Sequence, residues 1–229
     1  MLRLRSLPSV LTEPGPVKKR WQKCVGFEVL RCGAVGRFYG GSMGRMPRFV
    51  AAGFYHITTR GNNRRDIFLD DLDREGFLST VAAVVELRLW KCHAFCLMTN
   101  HFHLLVETPD ESLPNGMQRL NLGHARSFNR RHGMTGHVFE APYHSEPVTR
   151  ESHALLAIRY IVRNPVEAGL CRRPEEWPWS SHGASLGLRR APPFLTSAWV
   201  LGLFGDDVST ARRRLRHFAL TGPGPVKEL

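Results

Sequence analysis

Two runs of alternating residues, separated by two polar residues, constrain the fold more than any other part of this chain. Lys91–Met98 and His101–Glu107 each show the two-residue period of a β-strand, and Thr99–Asn100 is short enough to join them as a hairpin. An antiparallel pair of strands near the middle of the chain is therefore predicted.

The second strand carries two histidines that share a face. Successive side chains of a strand point to opposite faces, so His101 and His103 project together while Phe102 can pack on the other side. Two neutral imidazoles on one face supply two ligands for a divalent metal. Two half-buried polar residues at a strand edge would give the same pattern, so the metal interpretation needs support from elsewhere in the chain.

That support comes from a segment with helical periodicity, Glu151–Pro165. Tyr160 and Asn164 are four residues apart in it and share a face of the helix. Proline disfavours helical geometry at the residue before it, so we expect the helix to run to about Arg163, with Asn164 at its end or at a kink. A tyrosine nucleophile and an amide ligand beside two histidines would make a site for phosphoryl transfer.

The order of the remaining elements predicts the fold class. The segments expected to be regular are a strand at Phe54–Thr59, helices at Asp70–Trp90 and Leu113–Arg131, and extended chain at His137–Val148. Strand-helix-strand-strand-helix-strand, with a central hairpin, predicts an α+β fold: a ferredoxin-like sandwich with an antiparallel sheet and helices on one face. A basic C-terminal tail, residues 184–229, should add short helices at Ser197–Phe204 and Ser209–Leu220.

The formal net charge of +12 favours a polyanionic partner, most simply nucleic acid. More than half of this excess lies in residues 1–45, where nine Lys and Arg face two Asp and Glu. That stretch is rich in Gly, Pro and Arg without periodicity. We interpret it as a disordered or mis-annotated extension, with translation starting at Met46 or Met43.

The cysteines and the apolar segments favour a bacterial cytoplasmic protein. The cysteine count of five is odd, which does not fit a secreted disulfide framework. We interpret Cys92 and Cys96 as buried thiols that share a strand face rather than as zinc ligands, because their neighbours are apolar. No apolar run has the length of a membrane span, and no signal peptide is evident.

Several motifs occur together in one order: HITTRGNNRR, HAFCLMTNHFHLLVE, NRRHG, VFEAPYHS, RYIVRNPVEAGL and EEWPWSS. The series resembles the HUH (His-hydrophobic-His) single-tyrosine transposases, and within them the REP-associated tyrosine transposase branch. The resemblance covers residues 46–183, which we interpret as the catalytic domain. It implies a ferredoxin-like fold in which the Tyr160 helix lies against the sheet.

The resemblance implies a role for each motif residue. His101, His103 and Asn164 would hold Mg²⁺ or Mn²⁺, and Tyr160 would attack DNA to form a 5′-phosphotyrosine, so that single-stranded or hairpin repeat DNA is nicked and rejoined. Tyr143 is a rival nucleophile, but only Tyr160 has an asparagine four residues later.

Polar and basic side chains are expected to contact the DNA. The residues predicted for base or backbone contact lie in one turn, Arg60, Asn62, Asn63, Arg64 and Arg65, and those predicted for phosphate contact are Arg126, Arg130 and Arg131. Trp177 and Trp179 could stack on bases or clasp the core. The arginines of the tail, Arg212–Arg216, fit a solvated face and a phosphate-binding face equally well.

Two other functions fit the same residues. A domesticated regulator would bind hairpin DNA or RNA without cleaving it, and a metal phosphodiesterase would use water instead of tyrosine. We expect a monomer that is associated with the nucleoid, although a homodimer would also fit the resemblance.

Overall fold

The computed structural model describes residues 51–221. The predictions for residues 1–45, for the start at Met43 or Met46, and for Cys24 and Cys32 lie outside this range. The strands are β1 (Gly53–Arg60), β2 (Lys91–Leu97), β3 (His101–Thr108) and β4 (His144–Pro147). The α-helices are α1 (Asp71–Arg88), α2 (Leu113–His132), α3 (Glu151–Glu167), α4 (His182–Ser185), α5 (Ala198–Gly202) and α6 (Val208–Thr221).

The four strands form one antiparallel sheet with the order β2-β3-β1-β4. β2 and β3 are joined by a tight hairpin in which Met98 N donates to His101 O over 2.9 Å. Along the chain, α1 connects β1 to β2 and α2 connects β3 to β4. This connectivity and the strand order are those of the ferredoxin-like sandwich. The predicted α+β class and architecture are confirmed.

α1 and α2 pack on one face of the sheet. Phe102, Leu104 and Val106 alternate along β3 towards these helices and meet Phe77 of α1 and Met117 of α2 in a single buried cluster. This half of the molecule corresponds to the predicted helices on one face.

α3 lies on the opposite face, together with the C-terminal helices. Phe54 and Leu105 of the sheet are buried there against Ile158 and Ile161 of α3 and Leu215 of α6. The two short helices predicted in the tail are present as α5 and α6, and they belong to the same core as the Tyr160 helix. Within residues 51–221, no helix combines the length and the apolarity needed to cross a membrane.

A bulge in β2 separates the two strand cysteines. The pairing of β2 with β3 shifts between Cys92 and Ala94, so Cys92 joins the α1–α2 core and Cys96 joins the α3 core. Burial raises the pKa of the Cys92 thiol to about 12 and also raises that of Cys96. Both thiols are buried as predicted, but the prediction of a shared face was wrong because the bulge adds one residue to the period.

The segment Trp177–Ser181 covers the outer edge of β2. Trp177 Nε1 donates to Leu97 O over 2.9 Å, Leu97 N donates to Trp179 O over 2.8 Å, and Ser181 N donates to Phe95 O over 3.0 Å. These bonds satisfy backbone N–H and C=O groups of β2 with which another chain could otherwise pair. Of the two functions considered for the tryptophans, the structure supports the clasp.

Three arginines of α6 fasten the C-terminal region to the core. Arg212 Nε donates to Ser185 O over 3.3 Å, Arg214 Nη1 donates to Phe204 O over 3.0 Å, and Arg216 Nη2 lies 2.6 Å from Glu175 Oε1. The basic stretch is therefore neither a purely solvated face nor a free phosphate-binding face.

We predict that His182, which is buried next to Glu175 and Arg216, makes the fold sensitive to mild acid. Burial lowers the pKa of His182 to about 4, so below pH 6.5 the unfolded chain takes up a proton that the native state resists. Its contribution to stability is complete above pH 6.5 and is lost as the pH falls towards 4. The free energy of unfolding, measured with denaturant, should fall between pH 7.5 and pH 5. This fall should be smaller by about 2 kcal/mol in His182→Gln than in the parent protein.

The control is His137→Gln at an exposed histidine, which should keep the pH dependence of the parent. An unchanged pH dependence in His182→Gln would contradict the prediction.

Candidate active site

The site lies where β3 meets α3. His101 and His103 point to the α3 side of the sheet, with ring centroids 5.0 Å apart and ring planes nearly perpendicular at 89°. Tyr160 and Asn164, one helical turn apart on α3, face them. The structure thus brings together the four residues predicted for nucleophile and metal ligands.

The amide of Asn164 lies between the two imidazoles. Its Oδ1 is 3.1 Å from His101 Nε2, and its Nδ2 is 3.2 Å from His103 Nε2. The expected helix end near Arg163 was wrong, because α3 continues through Pro165 to Glu167. Proline removes only one backbone donor, so Asn164 is held in the last turn of the helix rather than at a free end.

The other ring nitrogen of each imidazole also has a partner. His101 Nδ1 is 2.7 Å from Asn100 Oδ1, while His103 Nδ1 is 2.9 Å from Thr58 Oγ1 and 3.2 Å from His56 Nε2. Contacts of this kind set the ring orientation and leave Nε2 facing the ligand position.

The environment keeps His103 and His56 neutral. Burial, together with the neighbouring His56, His101 and Arg60, lowers the pKa of His103 well below its usual value. Burial and His144 lower the pKa of His56 to about 4. A neutral imidazole is the form that binds metal ions.

Tyr160 lies against the same group. Its ring packs edge-on to His103 with centroids 5.1 Å apart, and to His56 at 5.8 Å. The rival Tyr143 is buried, at 7% exposure, in the cluster under α1 and α2 on the opposite face of the sheet. The geometry therefore separates Tyr143 from the histidines and keeps Tyr160 beside them.

Of the predicted DNA-contacting turn, Arg60–Arg65, Arg60 ends β1, and Gly61–Arg65 form the turn at the same end of the sheet as the site. Arg60 pairs with His101 across β1 and β3, and the turn follows directly. Asn63 and Arg64 adopt positive φ angles of 54° and 59° and are exposed. A side chain at Gly61 would overlap the carbonyl of Arg65, so the turn depends on glycine there.

The arginines predicted on α2 lie across the sheet from the histidines. Arg126 and Arg130 are exposed on this helix. Arg131 forms ion pairs with Asp70 and Asp73 and so joins the end of α2 to the start of α1. Phosphate contact by these arginines stays a prediction, and Arg131 already has a structural role.

The sequence of residues 50–164 matches the family model of IS200-like transposases. The chain belongs to this family. Among solved structures, a REP-associated tyrosine transposase bound to a REP hairpin matches with a TM-score of 0.54 and 17% identity, over 72% of this chain and 93% of that one. A putative transposase from Deinococcus radiodurans R1 matches with a TM-score of 0.37 and 17% identity, over 55% and 97% of the two chains. No curated protein matches the sequence.

The match to the IS200-like family ends at Asn164 and so includes the four central site residues. Sequence reasoning missed three others: His56, Thr58 and Asn100. The alternation of β1 put His56 and Thr58 on one face, but only the register, in which Thr58 lies opposite His103, shows which face that is. For Asn100 the sequence pattern indicates only a place in the turn.

The donor set of this transposase site fits a divalent cation. When His101 is neutral and carries its proton on Nδ1, its bare Nε2 faces Asn164 Oδ1, so that two electron-pair donors lie 3.1 Å apart. Donors about 2.1 Å from an octahedral ion lie about 3 Å apart, close to this separation. Within residues 51–221 no three His, Cys, Asp or Glu side chains cluster as a metal site, so the fit depends on the Asn164 amide as well as on the two imidazoles.

We predict that MnCl₂ raises the midpoint of thermal unfolding. A ligand that binds only the native state adds about 2.7 kcal/mol of stability at 100 times its Kd. Replacing His101 and His103 together by Ala should abolish the concentration-dependent shift. Tyr160→Phe should keep it, since the tyrosine is not among the proposed ligands. Equal shifts in the parent and the double variant would show that manganese binds elsewhere.

Proposed function

We propose that this protein is a metal-dependent DNA strand transferase that nicks and rejoins single-stranded or hairpin DNA through a covalent tyrosine intermediate. The observation that carries the proposal is the convergence of Tyr160, two imidazole Nε2 atoms and the Asn164 amide on one face of the sheet. Membership of the IS200-like transposases supports the same chemistry.

In the proposed reaction the phenolic oxygen of Tyr160 attacks the phosphorus of a DNA phosphodiester. An O–P bond to the tyrosine forms, the bond from phosphorus to the 3′ oxygen breaks, and the proton lost by the phenol balances the proton gained by the 3′-hydroxyl. The resulting 5′-phosphotyrosine retains the free energy of the ester, so another 3′-hydroxyl can attack it and join new ends.

His101, His103 and Asn164 would hold Mg²⁺ or Mn²⁺. When bound, such an ion polarises the scissile phosphate and offsets its developing charge. Thr58, His56 and Asn100 orient the two imidazoles, and the edge contact with His103 places the Tyr160 ring beside them. A nucleophile held close to the reacting group gains most from proximity.

The DNA would approach from the end of the sheet that carries Arg60 and the Gly61–Arg65 turn. The exposed Asn63, Arg64 and Arg65 provide donors for phosphates and base edges. The solved relative bound to a REP hairpin suggests hairpin DNA as the substrate class to test first. An enzyme with such a substrate would act at the bacterial nucleoid.

The substrate is a hairpin identified in chromosomal DNA that co-precipitates with the protein. We predict that this hairpin, when labelled and incubated with the protein and Mn²⁺, forms an adduct that resists denaturant. Tyr160→Phe should abolish the adduct, because phenylalanine lacks the attacking oxygen, while leaving hairpin affinity within about twofold. Tyr143→Phe is the matched control and should form the adduct normally.

Other outcomes would identify the alternative functions. Hairpin binding that survives EDTA, with no cleavage by the parent protein, would indicate a domesticated regulator. Cleavage without a covalent adduct would indicate a hydrolytic phosphodiesterase.

We also propose that the protein acts as a monomer, a proposal supported by Tyr160 lying beside the histidines of its own chain. Tyr160→Phe mixed with the His101→Ala, His103→Ala variant should then remain inactive in adduct formation. Recovery of adduct in the mixture would require two chains to share a site, and the monomer proposal would be rejected.

A further inference from the structure

Asn100 connects the DNA-contacting turn to the first histidine of the site. Its Oδ1 is 2.7 Å from His101 Nδ1, and its Nδ2 donates to Arg64 O over 3.2 Å. The two contacts require the same orientation of the amide. A carbonyl oxygen can only accept, so Nδ2 must face Arg64, and Oδ1 is left to accept the proton of His101 Nδ1.

The contact with His101 fixes which ring nitrogen is available. Because Asn100 Oδ1 accepts the Nδ1 proton, the neutral imidazole carries its lone pair on Nε2. Nε2 is the atom that lies 3.1 Å from Asn164 Oδ1. Without Asn100, the imidazole of His101 would be free to rotate and to carry its proton on either nitrogen.

The contact with Arg64 supports a strained turn. Asn63 and Arg64 are consecutive residues with positive φ, and such a conformation is strained at a residue that carries a Cβ, such as arginine. The side chain of Asn100 donates to the backbone carbonyl of Arg64, and the backbone carbonyl of Asn100 accepts from Gly61 N over 2.8 Å. The backbone of the turn is thus fastened at two points to the residue that orients His101.

We propose that Asn100 is a positioning residue that holds the DNA-contacting turn and the first metal ligand as one unit. This inference rests on the proposed function for the roles of the turn and of His101. DNA bound by Asn63–Arg65 would then lie beside His101, whose ring is already oriented by Asn100. Asparagine suits this role because its planar amide offers an acceptor at one end and a donor at the other.

The test uses three variants of the full chain and two readouts that do not depend on cleavage. Calorimetry measures the affinity for MnCl₂ alone, and anisotropy measures the affinity for the fluorescent hairpin in EDTA. Asn100→Ala should weaken Mn²⁺ binding about 10-fold and hairpin binding about 5-fold. Asn100→Asp should restore Mn²⁺ affinity to the parent level, since a carboxylate also accepts the Nδ1 proton.

Asn129→Ala is the matched control. Asn129 also donates from its amide to a loop carbonyl, Gly136 O at 3.1 Å, but it lies on α2 across the sheet, so both affinities should stay within about twofold of the parent. Asn100→Asp also tests the proposal if Asn100→Ala fails to fold, because a purely structural role for Asn100 would not predict parental Mn²⁺ affinity.

The inference and the proposed function fail in different ways. If the parent protein binds no Mn²⁺ and forms no adduct, the proposed function is wrong. If the parent binds Mn²⁺ but Asn100→Ala binds it equally well, Asn100 does not position His101. If Asn100→Ala loses Mn²⁺ affinity but keeps parental hairpin affinity, the turn and the ligand are not one unit, and the inference is overturned.

Discussion

The pairing register of β1 with β3 sets which polar groups of the two strands meet in the site. Thr58 lies opposite His103, and Arg60 lies opposite His101. A slip of one residue would turn the side chains of one strand to the other face, which would move Thr58 into the α1–α2 core and Ile57 towards α3. The register is stabilised by apolar residues on both faces, so the packing that stabilises the sheet also aligns the site.

The two faces of the sheet have different tasks. The α1–α2 face is a dense apolar core, whereas the α3 face combines an apolar core with a line of histidines. Burying imidazoles without partners would destabilise the fold. Here each ring nitrogen discussed above has a polar contact within 3.2 Å. The contact between His101 Nε2 and Asn164 Oδ1, two lone-pair donors 3.1 Å apart, is the one among these that a bound cation would satisfy.

Local periodicity was enough to predict β1, β2, β3, the hairpin and the shared face of Tyr160 and Asn164, because each depends on neighbours within a few residues. Of the extended chain predicted at His137–Val148, only His144–Pro147 forms a strand. The positions of Thr58, Cys92 and Arg216 depend instead on contacts between distant segments. Register determines what Thr58 meets, a bulge moves Cys92 to the other face, and Glu175 is the partner of Arg216. Spacing along the chain contains none of this information.

The family match stops at Asn164, but the folded unit does not. Beyond it, Trp177–Ser181 covers the edge of β2, and Arg163 of α3 donates to Ala219 O at the end of α6. The boundary of the family match and the boundary of the packed core are therefore different. Recombination that exchanged residues 50–164 between relatives would place the β2 of one protein under the Trp177–Ser181 segment of another, so the C-terminal region limits how modular this protein can be during evolution.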